Sequence, residues 1–285
     1  MIHSMTGFGK ASLQLPTKKV TVEIKSLNSK GLDVSVRMPS TFREMELGLR
    51  TQIGQRLERG KIDFSLFVEV TGEETTSKVN VPIVKAYIAQ LREVVAGDET
   101  ELLKMAVRMP DALKTERDEI DEGEWKVIQG VIDQALDNIC NFRVTEGVAL
   151  EKEFLVRISN ILKLMNETVA LDGERIQNVK DRLHAAIEDL KINVDENRFE
   201  QELIYYLEKM DITEEKVRLE NHLNYFIETL AGSEANGRKL GFITQEMGRE
   251  INTMGSKSNH AKMQKLVVQM KDELEKIKEQ VLNVL

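Results

Sequence analysis

Apolar and polar residues alternate in the first quarter of the chain, and further on this gives way to a three-four spacing that runs almost to the end. Val20, Val22 and Ile24 interleave with Thr21, Glu23 and Lys25, and Leu32, Val34, Val36 and Met38 interleave with Asp33, Ser35 and Arg37. Ile62, Phe64, Leu66, Val68 and Val70 make a third such run. A period of two sends alternate side chains to opposite faces, so these runs predict a half-buried sheet with one wet face. Ile2 to Leu15 also has the composition of a strand, in which Gly7 and Gly9 mark a kink or a close backbone approach. Thr41 to Leu57 is predicted helical, with Ser40 or Thr41 as N-cap, Glu44 near the capping-box position and Gly60 suited to a left-handed cap. The order ββαβ predicts a small α+β domain with helices on one side of the sheet.

Glu73 to Asn80 reads as a polar connection, Val81 to Val95 as a helix with Pro82 in its first turn, and Gly97 to Glu122 resists assignment. From Gly123 the spacing is helical: Trp125, Ile128, Val131, Ile132, Ala135, Leu136 and Ile139, then Leu150, Phe154, Ile158, Ile161, Leu162 and Met165, then Val179, Leu183, Ile187 and Leu190. One weak interruption near Gly147 over about 65 residues predicts long antiparallel or protruding helices whose seams need partners, hence oligomerisation. Val194 to Met210, Asp211 to Leu230 and Lys262 to Leu285 follow as helices, the last with Leu266, Val267, Met270, Leu274, Ile277 and Val281 on one face. The expected organisation is α+β: an N-terminal sheet domain over 1–122, a helical oligomerisation region over 123–200 and a helical domain carrying the site over 201–285.

Aromatics at 5% and four prolines against 31% charged residues suit long solvent-exposed helices better than an all-β fold. A lone cysteine, Cys140, excludes an intramolecular disulfide and a cysteine-zinc cluster, and fits a reducing cytoplasm. No window of 18 residues is free of charge and no apolar run follows Met1, so neither a membrane span nor a signal peptide is expected. The net charge of -8 argues against a polyanion partner, yet residues 1–80 hold 12 Lys and Arg against 9 Asp and Glu, +3, while the remainder holds 28 against 39, -11. A locally basic end is enough to bind phosphates.

The candidate chemistry lies in QEMGREINTMGSKSN, Gln245 to Asn259. At about 100° per residue with Glu246 at zero, Arg249 falls near -60°, Thr253 near -20° and Glu250 near +40°, beside a stripe of Ile243, Met247, Ile251 and Met254 at roughly +60° to +140°. Two carboxylates and a guanidinium therefore border a buried seam. Asp211, Glu215, Arg218 and His222 recur at helical spacing upstream, beside Leu219, Leu223, Phe226 and Leu230, so packing through the two stripes would turn both polar arcs to one cleft. Glu246 and Glu250 are spaced to share a hard divalent cation, although the same spacing decorates many solvated helices. His222 suits a general base, or a hydrogen bond to Glu215 or Asp211 that ties two helices together. Arg218 and Arg249 suit a phosphate clamp, or ion pairs within their own helices; Asp211 suits a helix start. Ser256 and Lys257 follow Gly255 where a helix break could take a phosphate, and Lys25, Lys30, Arg37, Arg59 and Lys61 could form a basic strand face. No Walker loop, Ser-His-Asp triad, dinucleotide loop or RNP aromatic motif is present, and Phe8, Phe42, Phe64 and Phe67 read as core rather than as stacking platforms.

DITEEKVRLENHL (211 to 223) followed by GRKLGFITQEMGREINTMGSKSN (237 to 259) resembles the C-terminal signature of the YicC/YloC family, and SMTGFGKA (4 to 11), EIKSLNSKGLDVSVRMP (23 to 39) and RGKIDFSL (59 to 66) resemble its N-terminal domain. The resemblance spans the chain, with one departure: His260 stands where the family usually has Asp. It implies a bacterial cytoplasmic endoribonuclease that uses a divalent metal and forms hexamers. On that reading Glu246, Glu250 and Glu215 hold Mn²⁺ or Mg²⁺, His222 moves a proton, Arg218 and Arg249 take the phosphate, and Lys257 joins the N-terminal basic set on RNA. Other RNA-decay factors are possible partners. The competing expectation is a non-catalytic adaptor that delivers RNA to another nuclease.

Overall fold

In the computed structural model, residues 2–71, 78–95, 97–114, 122–190, 195–232 and 237–285 are described. The chain is α+β. Strands β1 (Gly7–Gln14), β2 (Lys18–Leu27), β3 (Leu32–Arg37) and β4 (Gly60–Val70) form one sheet in the order β1-β2-β4-β3. β1 to β2 and β2 to β4 are antiparallel and β3 runs parallel to β4. The Gly7–Gln14 segment thus completes a βββαβ order where the alternation alone suggested ββαβ. Val20, Val22, Ile24, Ile62 and Phe64 are fully buried on the inner face, as their period of two requires.

The helix before β4 differs from the expected one. A 3₁₀ turn over Ser40–Met45 precedes α1 (Glu46–Leu57), and neither has a side-chain cap, so Ser40, Thr41 and Glu44 do not form the capping box. After α1 the left-handed residue is Glu58, φ 55°, while Gly60 takes φ 128° at the entry to β4. The segment that resisted assignment contains α3 (Glu99–Ala106), which packs on α2 (Val81–Val94) around Val84, Ala106 and Ala112. It also contains β6 (Leu113–Lys114), which pairs with β5 (Lys78–Val79). Most of the expected polar connection, 72–77, lies outside the described residues, as does 115–121.

The spine is α4 (Glu122–Ala170), 49 residues or about 73 Å at 1.5 Å per residue. Ile128, Val131, Ile132, Ala135, Leu136 and Ile139 in its first half close the sheet core; Leu150, Phe154, Ile158, Ile161 and Met165 in its second half enter a separate helical core. Gly9 permits the first contact, because a Cβ there would lie 2.2 Å from the carbonyl oxygen of Ala135. Gly147 does not interrupt the helix. It admits the start of the chain, since its Cβ would meet the carbonyl oxygen of Ile2 at 2.0 Å. The two chain ends meet beside it: Met5 donates to the carbonyl of Asn283 at 2.7 Å and Leu285 to that of His3 at 2.9 Å. Arg143, 4% exposed, ties the N-terminal part together through the Leu57 carbonyl (2.9 Å), Ser26 Oγ (2.5 Å) and the Met5 and Arg59 carbonyls (3.1 Å each). With no carboxylate in this set, burial draws its pKa down.

Helices α5 (Asp172–Leu190), α6 (Glu196–Met210), α7 (Thr213–Ala231), α8 (Gly237–Lys257) and α9 (Ala261–Val281) complete the chain. Leu219, Leu223, Phe226 and Leu230 of α7 share one core with Ile243, Met247, Ile251 and Met254 of α8 and with Met270, Leu274 and Ile277 of α9. The two stripes read from the sequence do pack on each other.

Candidate functional site on α7 and α8

Two ion pairs cross the α7–α8 seam. Lys257 Nζ lies 2.7 Å from Glu215 Oε1, and Arg218 Nη1 lies 4.0 Å from Glu250 Oε1. One turn further along each helix in this antiparallel arrangement come His222, half-buried, and Glu246. The two arcs read from the sequence therefore border one seam, but their members are not equivalent. Glu215 and Glu250 side chains are 6% exposed, whereas Glu246 is 51% and Arg249 73% exposed. The cause is angular: Glu250, near +40°, adjoins the apolar stripe and is drawn under it, while Arg249, near -60°, points away.

Most of the charges are already matched. Arg218 also holds Glu214 at 2.5 Å on its own helix, and Arg249 sits 4.0 Å from Glu246. Glu215 Oε2 is buried without a hydrogen-bond partner. His222 does not tie to Glu215, whose Oε1 accepts from Lys257 and whose Oε2 has no partner, and Asp211 Oδ1 accepts from the Thr213 amide at 3.1 Å and hydroxyl at 2.7 Å. The Thr213 hydroxyl bond leads a set of interactions that keep the Asp211 carboxyl below the usual carboxylate range. Asp211 stands two residues before α7 and accepts from the first residue of that helix, Thr213, which is a helix-start role.

Beyond Lys257 the chain breaks for three residues before α9, and a cleft of about 730 Å³ opens there, lined by Tyr206, Lys209, Lys257, Asn259, His260 and Gln264. Gln264 Nε2 fixes the break by donating to the carbonyls of Gly255 (2.6 Å) and Ser258 (2.7 Å). Arg175, 1% exposed, fixes it from the other side: Nη1 donates to the Lys257 carbonyl and Nη2 to that of Met210, both at 2.8 Å, with Nε on Asp172. These carbonyls end two helices and need donors. Sequence reasoning missed Arg175, whose position in the polar first turn of α5 carries no periodic signal.

Residues 2–152 match the family model described as Endoribonuclease YicC-like, N-terminal region, and residues 168–285 match Endoribonuclease YicC-like, C-terminal. The chain belongs to the YicC-like endoribonuclease family. It is 31% identical over 293 residues to the probable endoribonuclease YicC of Clostridioides difficile (strain 630). It is 28% identical over 296 residues to the probable endoribonuclease YicC of Haemophilus influenzae. Both alignments cover 100% of each chain. In this YicC-like chain the signature 237–259 is α8 with the first residues of the break. His260, where the resemblance led to an expected Asp, is the N-cap of α9 and makes no side-chain cap, a role Asp fills well. Its Nε2 lies 3.8 Å from Glu174 instead, and its Nδ1 is buried without a partner.

The expected metal meets a mixed donor set. Among the described residues no group of three or more His, Cys, Asp or Glu is placed to hold an ion. Mg²⁺ and Mn²⁺ need less than a closed cage, commonly one or two carboxylates plus phosphate and water. The unpartnered Glu215 Oε2, with Glu250 beside Arg218, fits that open kind of site.

The N-terminal basic residues sit apart, on the half of the YicC-like fold carried by the start of α4. Lys25, Arg37 and Lys61 are exposed on the sheet strands, Lys30 is in the β2–β3 loop, and Arg59 Nε donates to the Ser29 carbonyl at 2.8 Å. The four phenylalanines do not all join the core. Phe42 and Phe64 are core residues, but Phe8 is 42% and Phe67 49% exposed. Strand alternation turns both to the outer face, away from α4.

Proposed function

We propose that the protein is an endoribonuclease that cleaves RNA phosphodiester bonds at the α7–α8 seam. The observation that carries this reading is the pair of buried carboxylates, Glu215 and Glu250, each set against a cation from the facing helix. His222 takes up and returns a proton, from a ribose 2'-hydroxyl or a water. Arg218, from across the seam, and Arg249, from the exposed side of α8, take the phosphate oxygens and stabilise the charge that develops on them. Substrate phosphate replaces the weak 4.0 Å contacts these guanidinia make with Glu250 and Glu246. Glu250 and one further carboxylate, Glu246 or Glu215, would hold Mn²⁺ or Mg²⁺, which when bound neutralises phosphate charge and acidifies water. Lys257 directs the strand along the 730 Å³ cleft, and the N-terminal basic set holds a remoter part of a structured small RNA or mRNA. The working form is a cytoplasmic homo-oligomer, a hexamer by family resemblance.

The deciding experiment follows cleavage of a short hairpin RNA in EDTA, Mg²⁺ or Mn²⁺ by the unaltered chain and by a Glu246→Gln, Glu250→Gln variant of unchanged oligomeric state. Metal-dependent cutting that the variant loses is expected. Equal cutting by both removes these glutamates from the mechanism. Binding without cutting favours the adaptor reading, which draws support from the carboxylate already held by each of Arg218, Arg249 and Lys257.

A further inference from the structure

We infer that the outer face of the four-stranded sheet is a stacking platform for unpaired RNA bases, with Phe8 and Phe67 as its aromatic contacts; the inference rests on the endoribonuclease reading. Helix α4 covers only one face. Gly7, Gly9 and Ala11 of β1 turn inward, where a Cβ on Gly7 or Gly9 would meet Ile139 or Ala135. Phe8, Lys10 and Ser12 therefore turn outward, and the strand pairing carries this phase across the sheet. Phe8 faces Lys25, which faces Asp63, which faces Ser35; Lys10 faces Glu23, then Ser65, then Arg37; Ser12 faces Thr21, then Phe67. The helical side chains that pack on the sheet, from α1 and α4, join the core on its inner face, and Phe8 and Phe67 stay 42% and 49% exposed.

Neither phenyl ring completes a core. Each lies on the wet face with roughly half its surface in solvent, and each has lysines or arginines in neighbouring rows. A ring with cations around it takes the face of any nucleobase and leaves the cations to its phosphates. The two rings stand about 16 Å apart, from two strand spacings and four residues of rise. That exceeds a single stacked step of about 3.4 Å, so they hold non-adjacent bases of one strand.

The charge on the face indicates how binding divides. Lys10, Lys19, Lys25, Arg37 and Lys61 are opposed by Glu23, Asp33, Asp63 and Glu69, and Lys10 is already 2.8 Å from Glu23. So balanced a face attracts phosphate weakly. Lys30 and Arg59 add positive charge only at the Phe8 end, where the β2–β3 loop meets β4. Stacking, not the backbone, must then supply most of the affinity at this face, and base dependence is its signature. A second copy of the chain is the rival occupant.

The test measures anisotropy of two labelled 2'-O-methyl strands in EDTA, one with bases throughout and one abasic throughout, with the full-length protein. Phe8→Ala with Phe67→Ala is expected to weaken the base-bearing strand by at least about fivefold, leave the abasic strand unchanged, and be restored by Phe→Trp at both sites. Equal binding of both strands by unaltered and Ala proteins, with the hairpin still cut, overturns the platform alone. A changed sedimentation coefficient with unchanged strand binding overturns it in favour of a contact between copies. Binding of neither strand, with the hairpin uncut, overturns both the platform and the endoribonuclease reading.

Discussion

Replacing Lys257 with Met leaves the Glu215 carboxylate in place without its ammonium. The Glu215 side chain is 6% exposed and its second oxygen already lacks a partner, so no protein donor is at hand to take over. Removing one member of a buried pair costs about 3–5 kcal/mol. Lys257 is 26% exposed, so water reaches one side of the pair and lowers the expected cost to about 2–3 kcal/mol. With a urea dependence of about 3 kcal/mol per molar, the unfolding midpoint falls by about 0.7–1 M. Adding Glu215→Met removes the orphaned charge and should return stability to within about 1 kcal/mol of the unaltered chain, since matched apolar replacement of a buried pair is often neutral. Urea titration followed by helical circular dichroism measures all three variants and Glu215→Met alone. If the double variant is as unstable as Lys257→Met, the loss comes from the lysine stem and its packing, and the ion-pair argument fails.

Two further predictions concern stability. Gly9→Ala places a methyl 2.2 Å from the Ala135 carbonyl and should cost about 2 kcal/mol or more, because backbone must move. Gly130→Ala in the same α4 meets nothing within 4 Å and should stabilise by about 0.5–1 kcal/mol; thermal melts that rank the two alike would refute the close-approach account. In acid, Glu273 is the carboxylate to follow. Burial pushes its pKa up, but hydrogen bonds from Asn160, Lys276 and Arg157 outweigh that and bring it from 4.5 to about 2. A depressed folded pKa means stability that is complete above about 4.5 and is lost as pH falls towards 2, about 3 kcal/mol in all. Glu273→Gln should flatten the stability profile over that window, and an unchanged slope would remove this network from the acid response.

Where the sequence was readable, one periodic face had decided the outcome. Leu219, Leu223, Phe226 and Leu230 against Ile243, Met247, Ile251 and Met254 could be paired in advance because burying apolar surface is the dominant local drive and needs only one face per helix. The helix over 81–94 was legible from Pro82 and its apolar spacing. Positions set by another segment's backbone were harder. Gly147 looked like a weak point in a helix and is the place where Ile2 crosses it. The sheet domain's Phe8 and Phe67 looked like core because phenylalanine usually is, and alternation alone does not say which of two faces a helix will cover. Within the site, Glu246 and Glu250 appear on one arc, yet one is exposed and the other buried, because a 40° step decides which lies under the seam.

The sequence by itself determined the family, the α+β class, the apolar seam and the residue types that border it. All of these follow from local periodicity and from motifs contiguous along the chain. Only the tertiary structure decided which charges meet: Lys257 with Glu215, Arg218 with Glu250, and Arg175 with two helix ends far from it in sequence. Partner choice between long charged side chains depends on the register and depth of packed helices, and distances of a few ångströms set by packing leave no trace in the spacing of residues along one strand or helix.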